Sequence, residues 1–259
     1  MPNEPLIIIP AYKPDDKLIE LVNQLQSQFS SRLIIVDDGG GEAFQDIFNT
    51  ILARHGHCVD LLIHPVNRGK GAALKTAFAH VLHNYGDHSG VVTADADFQH
   101  RPVDIQRVCQ ALEANPRAFA LGSRDFTEPG IPARSRIGNR ITSWVFKLRT
   151  GQPCGDTQTG LRGIPMKLLP LCMHLPGDRY EFEMNVLLAT AISGISIVPV
   201  PIKTIYIEDN RSSHFKVWRD PFLIYKNILM FRNPQWPKSK RKPAASTSPR
   251  CSAPKARRD

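Results

Sequence analysis

The first half of the chain alternates short apolar runs with segments of helical period, and this alternation restricts the fold more than any other feature. The runs are Leu6-Ile7-Ile8-Ile9, Leu33-Ile34-Ile35-Val36, Val59-Asp60-Leu61-Leu62-Ile63, Val91-Val92-Thr93 and Ala118 to Leu121. Most are apolar at successive positions, the pattern of a strand covered on both faces, as in a parallel sheet. Between them Leu18, Leu21, Val22 and Leu25 share a helical face, then Phe44, Ile47, Phe48 and Ile51, then Ala73, Leu74, Ala77 and Val81. A further helix runs from Val103 to Leu112. Strands and helices in strict alternation with short connections specify an α/β fold, a mostly parallel sheet wound right-handed and flanked by helices.

Each of the first four runs ends in polar residues, which the alternation puts on one rim of the sheet. They are Tyr12, the pair Asp37-Asp38, Asn67-Arg68 with Lys70, and Asp95-Ala96-Asp97 with Gln99 and His100. In open α/β sheets ligands bind beyond the carboxyl ends of the strands. Asp95 and Asp97 are two apart, so their side chains converge if the extended conformation persists past Thr93. With the Gln99 amide they offer hard oxygens to Mg2+ or Mn2+, ligand phosphates filling the remaining positions. The same residues also fit a solvated acidic loop before the helix that follows Pro102. No G-x-G-x-x-G follows the first run, and Gly69-Lys70-Gly71 is not a P-loop. Negative charge in this cleft is therefore left to a metal and to side chains.

Beyond residue 123 the character changes. Arg124, Arg134, Arg136 and Arg140 surround Pro129-Gly130-Ile131-Pro132, ahead of an apolar helix through Ile141, Trp144, Val145 and Leu148. The arginines fit a phosphate site or a solvated helix face. Residues 154–163 read as a polar loop poor in packing groups. Arg179-Tyr180-Glu181-Phe182-Glu183 opens a helix with Val186, Leu187, Ala189 and Ala191 on its apolar face. Ile195 to Pro201 is a strand whose Pro199 and Pro201 put it at a sheet edge. A polar loop at 209–215 leads to a last amphipathic helix over 217–231, whose stripe Trp218, Phe222 and Tyr225 fits a core or a membrane anchor. His100 and His214 read as hydrogen-bonding loop residues, since their spacing fits no zinc pattern.

The net charge of +9 is concentrated at one end: residues 234–259 hold eight Lys and Arg against Asp259, leaving about two net charges for the rest. That Pro/Ser/Ala/Lys stretch is expected to be disordered, after a single domain over 1–233 with a nucleotide half at about 5–125 and an acceptor half at about 126–233. A nucleic-acid binder would spread its basic residues over a folded face, so no nucleic-acid partner is expected. Five scattered cysteines without C-x-x-C spacing predict reduced thiols in a cytoplasmic setting. No apolar run approaches membrane-spanning length, and Met1-Pro2-Asn3-Glu4-Pro5 is unlike a signal peptide.

Six motifs then carry a resemblance: Ile9-Pro10-Ala11-Tyr12, Val36-Asp37-Asp38-Gly39, Asn67-Arg68-Gly69-Lys70-Gly71, Asp95-Ala96-Asp97-Phe98-Gln99-His100, Gly122-Ser123-Arg124 and Asp156-Thr157-Gln158-Thr159-Gly160-Leu161-Arg162. In this order, over about residues 5–215, the chain resembles family 2 glycosyltransferases of the dolichol-phosphate mannosyltransferase and bacterial polyprenyl-phosphate sugar transferase branch. The resemblance implies a GT-A type fold with a Rossmann-like nucleotide-binding half, a GDP- or UDP-sugar donor, a divalent metal and inversion at the anomeric carbon. It implies Pro10, Ala11, Tyr12 and Asp37 at the base and ribose, and Lys70, Arg211 and Ser213 elsewhere around the donor. Asp95, Asp97 and Gln99 match the metal and diphosphate motif. Arg124 and Arg136 match residues that receive an acceptor phosphate, with Asp156, Gln158 and Arg162 in the acceptor-side loop. The chain departs from the usual Ala-Tyr-Asn-Glu, reading Ala11-Tyr12-Lys13-Pro14 with Asp15 one place late.

The mechanism expected is direct displacement. A lipid-phosphate acceptor is already an anion, met by arginine hydrogen bonds. A sugar or lipid hydroxyl needs a base, for which Asp156 is the candidate. Asp97, Asp156, Arg124 and Arg136 form the expected catalytic set. The transmembrane pairs of many bacterial members have no counterpart here, so the last amphipathic helix and the basic tail are expected to meet the membrane surface peripherally, at its cytoplasmic face.

Overall fold

Two cores, one on each face of a sheet, organise the chain. A computed structural model describes residues 4–29, 31–127, 133–203, 228 and 231, with side chains described from 136 onward in the helix that starts at Ala133. Its strands are β1 (Leu6–Ala11), β2 (Leu33–Asp37), β3 (Val59–Ile63), β4 (Gly90–Thr93), β5 (Phe119–Arg124), β6 (Arg162–Pro165) and β7 (Ile197–Ile202). The helices are α1 (Asp16–Gln28), α2 (Gln45–His55), α3 (Lys70–Asn84), α4 (Pro102–Ala114), α5 (Ala133–Thr150), α6 (Leu169–Met173) and α7 (Glu181–Ile192). The strands lie in the order β3-β2-β1-β4-β6-β5-β7.

The apolar runs behave as their pattern predicts. β1 pairs in parallel with β2 and β4, and β2 with β3, so the four strand ends open on one rim. Alternate residues feed opposite cores. Leu6, Ile8, Ile34, Val36 and Val91 join α3 and α7, while Ile7, Ile9, Leu33, Ile35 and Val92 join α1, α2 and α4. Asp15 is the N-cap of α1, its Oδ1 accepting from the Lys17 N–H at 3.0 Å, so the displaced acid starts a helix. Among the described residues β7 pairs only with β5 and is an edge strand, as its prolines require.

One expectation fails. The end of the 154–163 segment is not loop but β6, an antiparallel strand inserted between β4 and β5. A sequence of Arg, Gly, Ile and Pro lacks the β-branched run that marks a strand. Glycine is nonetheless what the place demands: a Cβ on Gly163 would lie 2.9 Å from Ala120 Cβ and 3.2 Å from Val108 Cγ1. The preceding residues are also buried, Asp156, Thr157, Thr159 and Leu161 all at 3% exposure or less.

Ile228 and Phe231, the described residues of the last predicted helix, are buried in the α3–α7 core. Trp218, Phe222, Tyr225, the 209–215 loop with Arg211 and Ser213, and residues 234–259 lie outside the described residues. Among the described residues no helix is long and apolar enough to cross a membrane. Cys58, Cys109, Cys154 and Cys172 are free thiols, and burial pushes Cys109 and Cys172 up to about 12.

The close approach at β6 gives a test. Gly163→Val should destabilise the protein by about 1–3 kcal/mol through overpacking against α4 and β5, measured by urea unfolding.

Candidate functional site

The rim is shaped first by Asp38. This buried carboxylate accepts at Oδ1 from His64 Nδ1 (2.7 Å) and the Arg68 N–H (3.0 Å), and at Oδ2 from the Gly69 N–H (2.8 Å) and Asn67 Nδ2 (3.1 Å). His64 Nε2 continues the chain to Thr76 Oγ1 at 2.9 Å. Four bonds to one acid fix the β3–α3 loop, and Gly69, at φ +99°, turns it into α3 with Lys70 first. A Cβ at Gly69 would meet Asp178 O at 2.4 Å. The neighbouring acid, Asp37, is buried at the end of β2, and its Oδ1 accepts from the Gly40 N–H at 2.8 Å, closing the glycine turn. Pro10 and Ala11 lie at the end of β1 beside it, paired with Val36 and Asp37, and Tyr12 stands 40% exposed just beyond.

Lys70 Nζ lies 2.5 Å from Asp95 Oδ1 and 2.9 Å from Glu183 Oε2. Burial works against the ammonium, but the two carboxylates raise its pKa above the ordinary lysine value. Burial likewise opposes the Asp95 anion. The charges of Lys70 and His100, the Lys70 hydrogen bond and Arg162 outweigh it and hold the carboxyl at about 2.

Asp95 and Asp97 come together, though not by strand alternation. β4 ends at Thr93 and the chain turns over Ala96 and Asp97. Phe98 takes φ +63°, a conformation that a bulky residue adopts only under constraint. Asp97 Oδ1 accepts from the Gln99 N–H at 3.1 Å. Burial and then the Asp95 charge push the Asp97 pKa up. His100 is a hydrogen-bonding residue: the Asp95 N–H donates to its Nδ1 at 3.3 Å, and burial pushes its pKa down. Gly160 presses on the acid from across the sheet, since a Cβ there would lie 2.5 Å from Asp95 Oδ2. Thr93 Oγ1 holds that approach by donating to Gly160 O at 2.7 Å.

Could these residues hold a divalent cation? Among the described residues no three His, Cys, Asp or Glu side chains form a closed metal cage. Two carboxylates beside an amide side chain, on an open cleft, are instead the partial oxygen set that Mg2+ or Mn2+ completes with phosphates and water.

The opposite wall is built on Asp156, which is fully buried. Arg124 grips it with two bonds, Nε to Oδ2 at 2.6 Å and an Nη to Oδ1 at 2.9 Å. Main-chain N–H groups of Arg124 and Gln158 complete the shell at 3.3 and 3.1 Å. Asn139 of α5 holds the loop in place, donating to Gly155 O at 2.6 Å and accepting from the Thr157 N–H at 3.4 Å. The cleft between the walls is lined by Asp95, Gln99, His100, Arg124, Gln158, Thr159, Gly160 and Ile202. The structure thus brings Asp95, Gln99, Arg124 and Gln158 to one cavity, with Asp97 and Lys70 beside Asp95.

Two expected residues stand elsewhere. Arg136 is exposed on the first turns of α5. Arg162 is 2% exposed and turned inward, its guanidinium donating to the carbonyls of Thr159 (2.8 Å), Thr157 (3.4 Å) and Glu183. It ties β6 to α7 and does not line the cleft.

One residue escaped the sequence reading. Glu183 is a largely buried acid that pairs with Lys70 through Oε2, while its Oε1 has no hydrogen-bond partner among the described residues. The signal was present, because α7 is buried along nearly its whole length and a carboxylate inside such a stretch needs a cation or a ligand.

Comparison with known proteins gives the family and the fold. The family model for glycosyl transferase family 2 matches residues 6–168. A UDP-N-acetylglucosamine–dolichyl-phosphate N-acetylglucosaminyltransferase of Methanococcus voltae is 30% identical over 242 residues, covering 87% of this chain and 95% of that protein. A polyprenol monophosphomannose synthase of Mycolicibacterium smegmatis is 24% identical over 203 residues, 76% of each chain. Among solved structures, a mannosyltransferase of Pyrobaculum calidifontis with GDP-Man and Mn2+ matches at TM-score 0.58 and 18% identity, over 89% of this chain and 66% of that one. Glucosyl-3-phosphoglycerate synthase of Mycobacterium tuberculosis, with Mn2+ and UDP, matches at TM-score 0.56 and 14% identity, over 87% and 77%. The fold is of the GT-A type.

Arg162 separates framework from ligand contact. Arg162→Met should strand three interior carbonyls and cost about 1–3 kcal/mol, seen as a lower melting temperature. An arginine serving only a ligand would leave the melting temperature of the free protein unchanged.

Proposed function

The chain belongs to glycosyl transferase family 2, and from that premise we propose that it moves a sugar from a GDP- or UDP-sugar to the phosphate of a polyprenyl or dolichyl lipid, with inversion at the anomeric carbon. The relatives named above for dolichyl-phosphate and polyprenol substrates support the acceptor class. The observation that carries the reading is the state of Asp156. Both of its oxygens are already engaged by Arg124 and main-chain N–H groups, in a fully buried place. A carboxylate so satisfied is a poor base for a hydroxyl. A lipid phosphate needs none, because it arrives ionised. Asp156 then acts as a positioning residue that sets the Arg124 plane at the cleft wall. This weighs against a soluble transferase that uses Asp156 as base on a glycan or small-molecule hydroxyl.

In this proposal Asp95, Asp97 and Gln99 would hold Mg2+ or Mn2+, which would supply charge neutralisation for the departing nucleotide. Lys70 keeps Asp95 ionised and aimed into the cleft. Pro10, Ala11, Tyr12 and Asp37 serve the base and ribose, with Arg211 and Ser213 completing the donor site. Arg124 and Gln158 receive the acceptor phosphate, while Arg162 supports the frame. The reaction belongs at the cytoplasmic face of a membrane.

Transfer assays with UDP- and GDP-sugars, polyprenyl phosphate or polyprenol, and added Mg2+ or Mn2+ test this. Asp97→Asn should lower turnover by about 100-fold or more, since the cation's contribution is several kcal/mol. Arg124→Gln should raise the KM for polyprenyl phosphate while leaving nucleotide binding, read by thermal shift, intact. Transfer to polyprenol but not to its phosphate would overturn the acceptor assignment.

A further inference from the structure

Helix α5 has two unlike faces. Asn139, Thr142 and Phe146 are buried, and Asn139 grips the loop that carries Asp156. On the opposite side Ile137, Ile141, Trp144 and Leu148 are exposed by 60%, 45%, 62% and 67%. Their spacing of four, three and four residues draws one straight stripe, about 16 Å long at the helical rise. A stripe of four large apolar side chains left in water marks an interaction surface.

The charge pattern says what it meets. At about 100° per residue, Arg136, Arg140 and Lys147 fall along one flank of the stripe, and all three are exposed. The 18 residues of α5 include five Lys and Arg and no Asp or Glu. An apolar line with an interfacial Trp, bordered by a basic row and free of acids, is complementary to anionic headgroups over acyl chains.

We propose that the outer face of α5 is the surface by which the protein docks on an anionic bilayer. Ile137, Ile141, Trp144 and Leu148 enter the headgroup–acyl boundary, and Arg136, Arg140 and Lys147 meet lipid phosphates. Because the inner face of the same helix holds the Asp156 loop, docking brings the Arg124 wall of the cleft toward the lipid. The inference deepens the lipid-phosphate reading and rests on it only for the purpose of docking. The sequence had pointed instead to the last amphipathic helix and the basic tail.

The test is co-sedimentation of the full chain with vesicles of phosphatidylcholine and phosphatidylglycerol in equal parts, against phosphatidylcholine alone. Wild type should bind the anionic vesicles. Trp144→Glu/Leu148→Glu should weaken that binding roughly 10- to 100-fold, and Arg140→Gln/Lys147→Gln several-fold, each at unchanged melting temperature. Trp144→Ala/Leu148→Ala replaces the first variant if glutamates impair folding. Every variant keeps residues 234–259, so binding through the tail alone would leave all of them like wild type and overturn the proposal. It is equally overturned if wild type ignores vesicles, or if light scattering finds a lipid-free dimer that the α5 variants split. Transfer to polyprenyl phosphate in detergent is read separately. Retained transfer in variants that no longer bind vesicles supports docking as a distinct role. Vesicle binding that depends on α5 without any transfer would sink the reaction and leave the docking surface standing.

Discussion

A partly buried ammonium between two carboxylates is the contact on which the cleft depends. Lys70 joins the start of α3 to Asp95 after β4 and to Glu183 in α7. Without the cation, two acids would face each other in a poorly solvated place, where like charges force one to take up a proton. With it, Asp95 stays ionised, and the bond orients its carboxylate toward the cavity. The pairing also links segments 25 and 113 residues apart from Lys70, so the site is completed only when α3 and α7 have packed together on the sheet. A partly buried ion pair of this kind adds little to net stability. Its work here is placement.

Behind that contact stand two supporting acids that do not need to touch a ligand. Asp38 spends four hydrogen bonds on the loop that delivers Lys70. Asp156 spends its own on Arg124 and on the turn through Gln158. Each converts a flexible connection into a fixed wall, which is what a site must have if charge is to be stabilised without reorganisation. The antiparallel strand β6 runs between these walls. Through Gly160 its lead-in presses on Asp95, and through Arg162 the strand is bound to α7.

Helix α5 extends the same logic outward. One face secures the loop that carries Asp156, and the other carries an exposed apolar stripe beside a basic row. The arginines around residue 130, read from sequence as a single group, therefore divide: Arg124 belongs to the cleft, while Arg136 and Arg140 lie on the helix surface.

What the sequence determined by itself was everything carried by local pattern. Successive apolar residues wrote the parallel strands, helical spacing wrote the helices, and polar residues at strand ends wrote the rim, so Asp95, Gln99, Lys70, Arg124 and Gln158 could be gathered before any coordinate was known. Two prolines were enough to put β7 at the edge. Only the tertiary structure decided what non-local contact creates. β6 has no strand signal because its glycine and arginine answer to α4, β5 and α7, not to its own neighbours. Asp156, the candidate base for a hydroxyl acceptor, has both oxygens engaged by partners that lie partly across a 32-residue gap. Glu183 joined the site through a lysine on another helix, and Asp95 met Asp97 through a turn whose strained Phe98 no period predicts. The exposure of Trp144 was likewise undecidable from spacing, because an amphipathic period tells that a helix has an apolar face and not whether anything covers it.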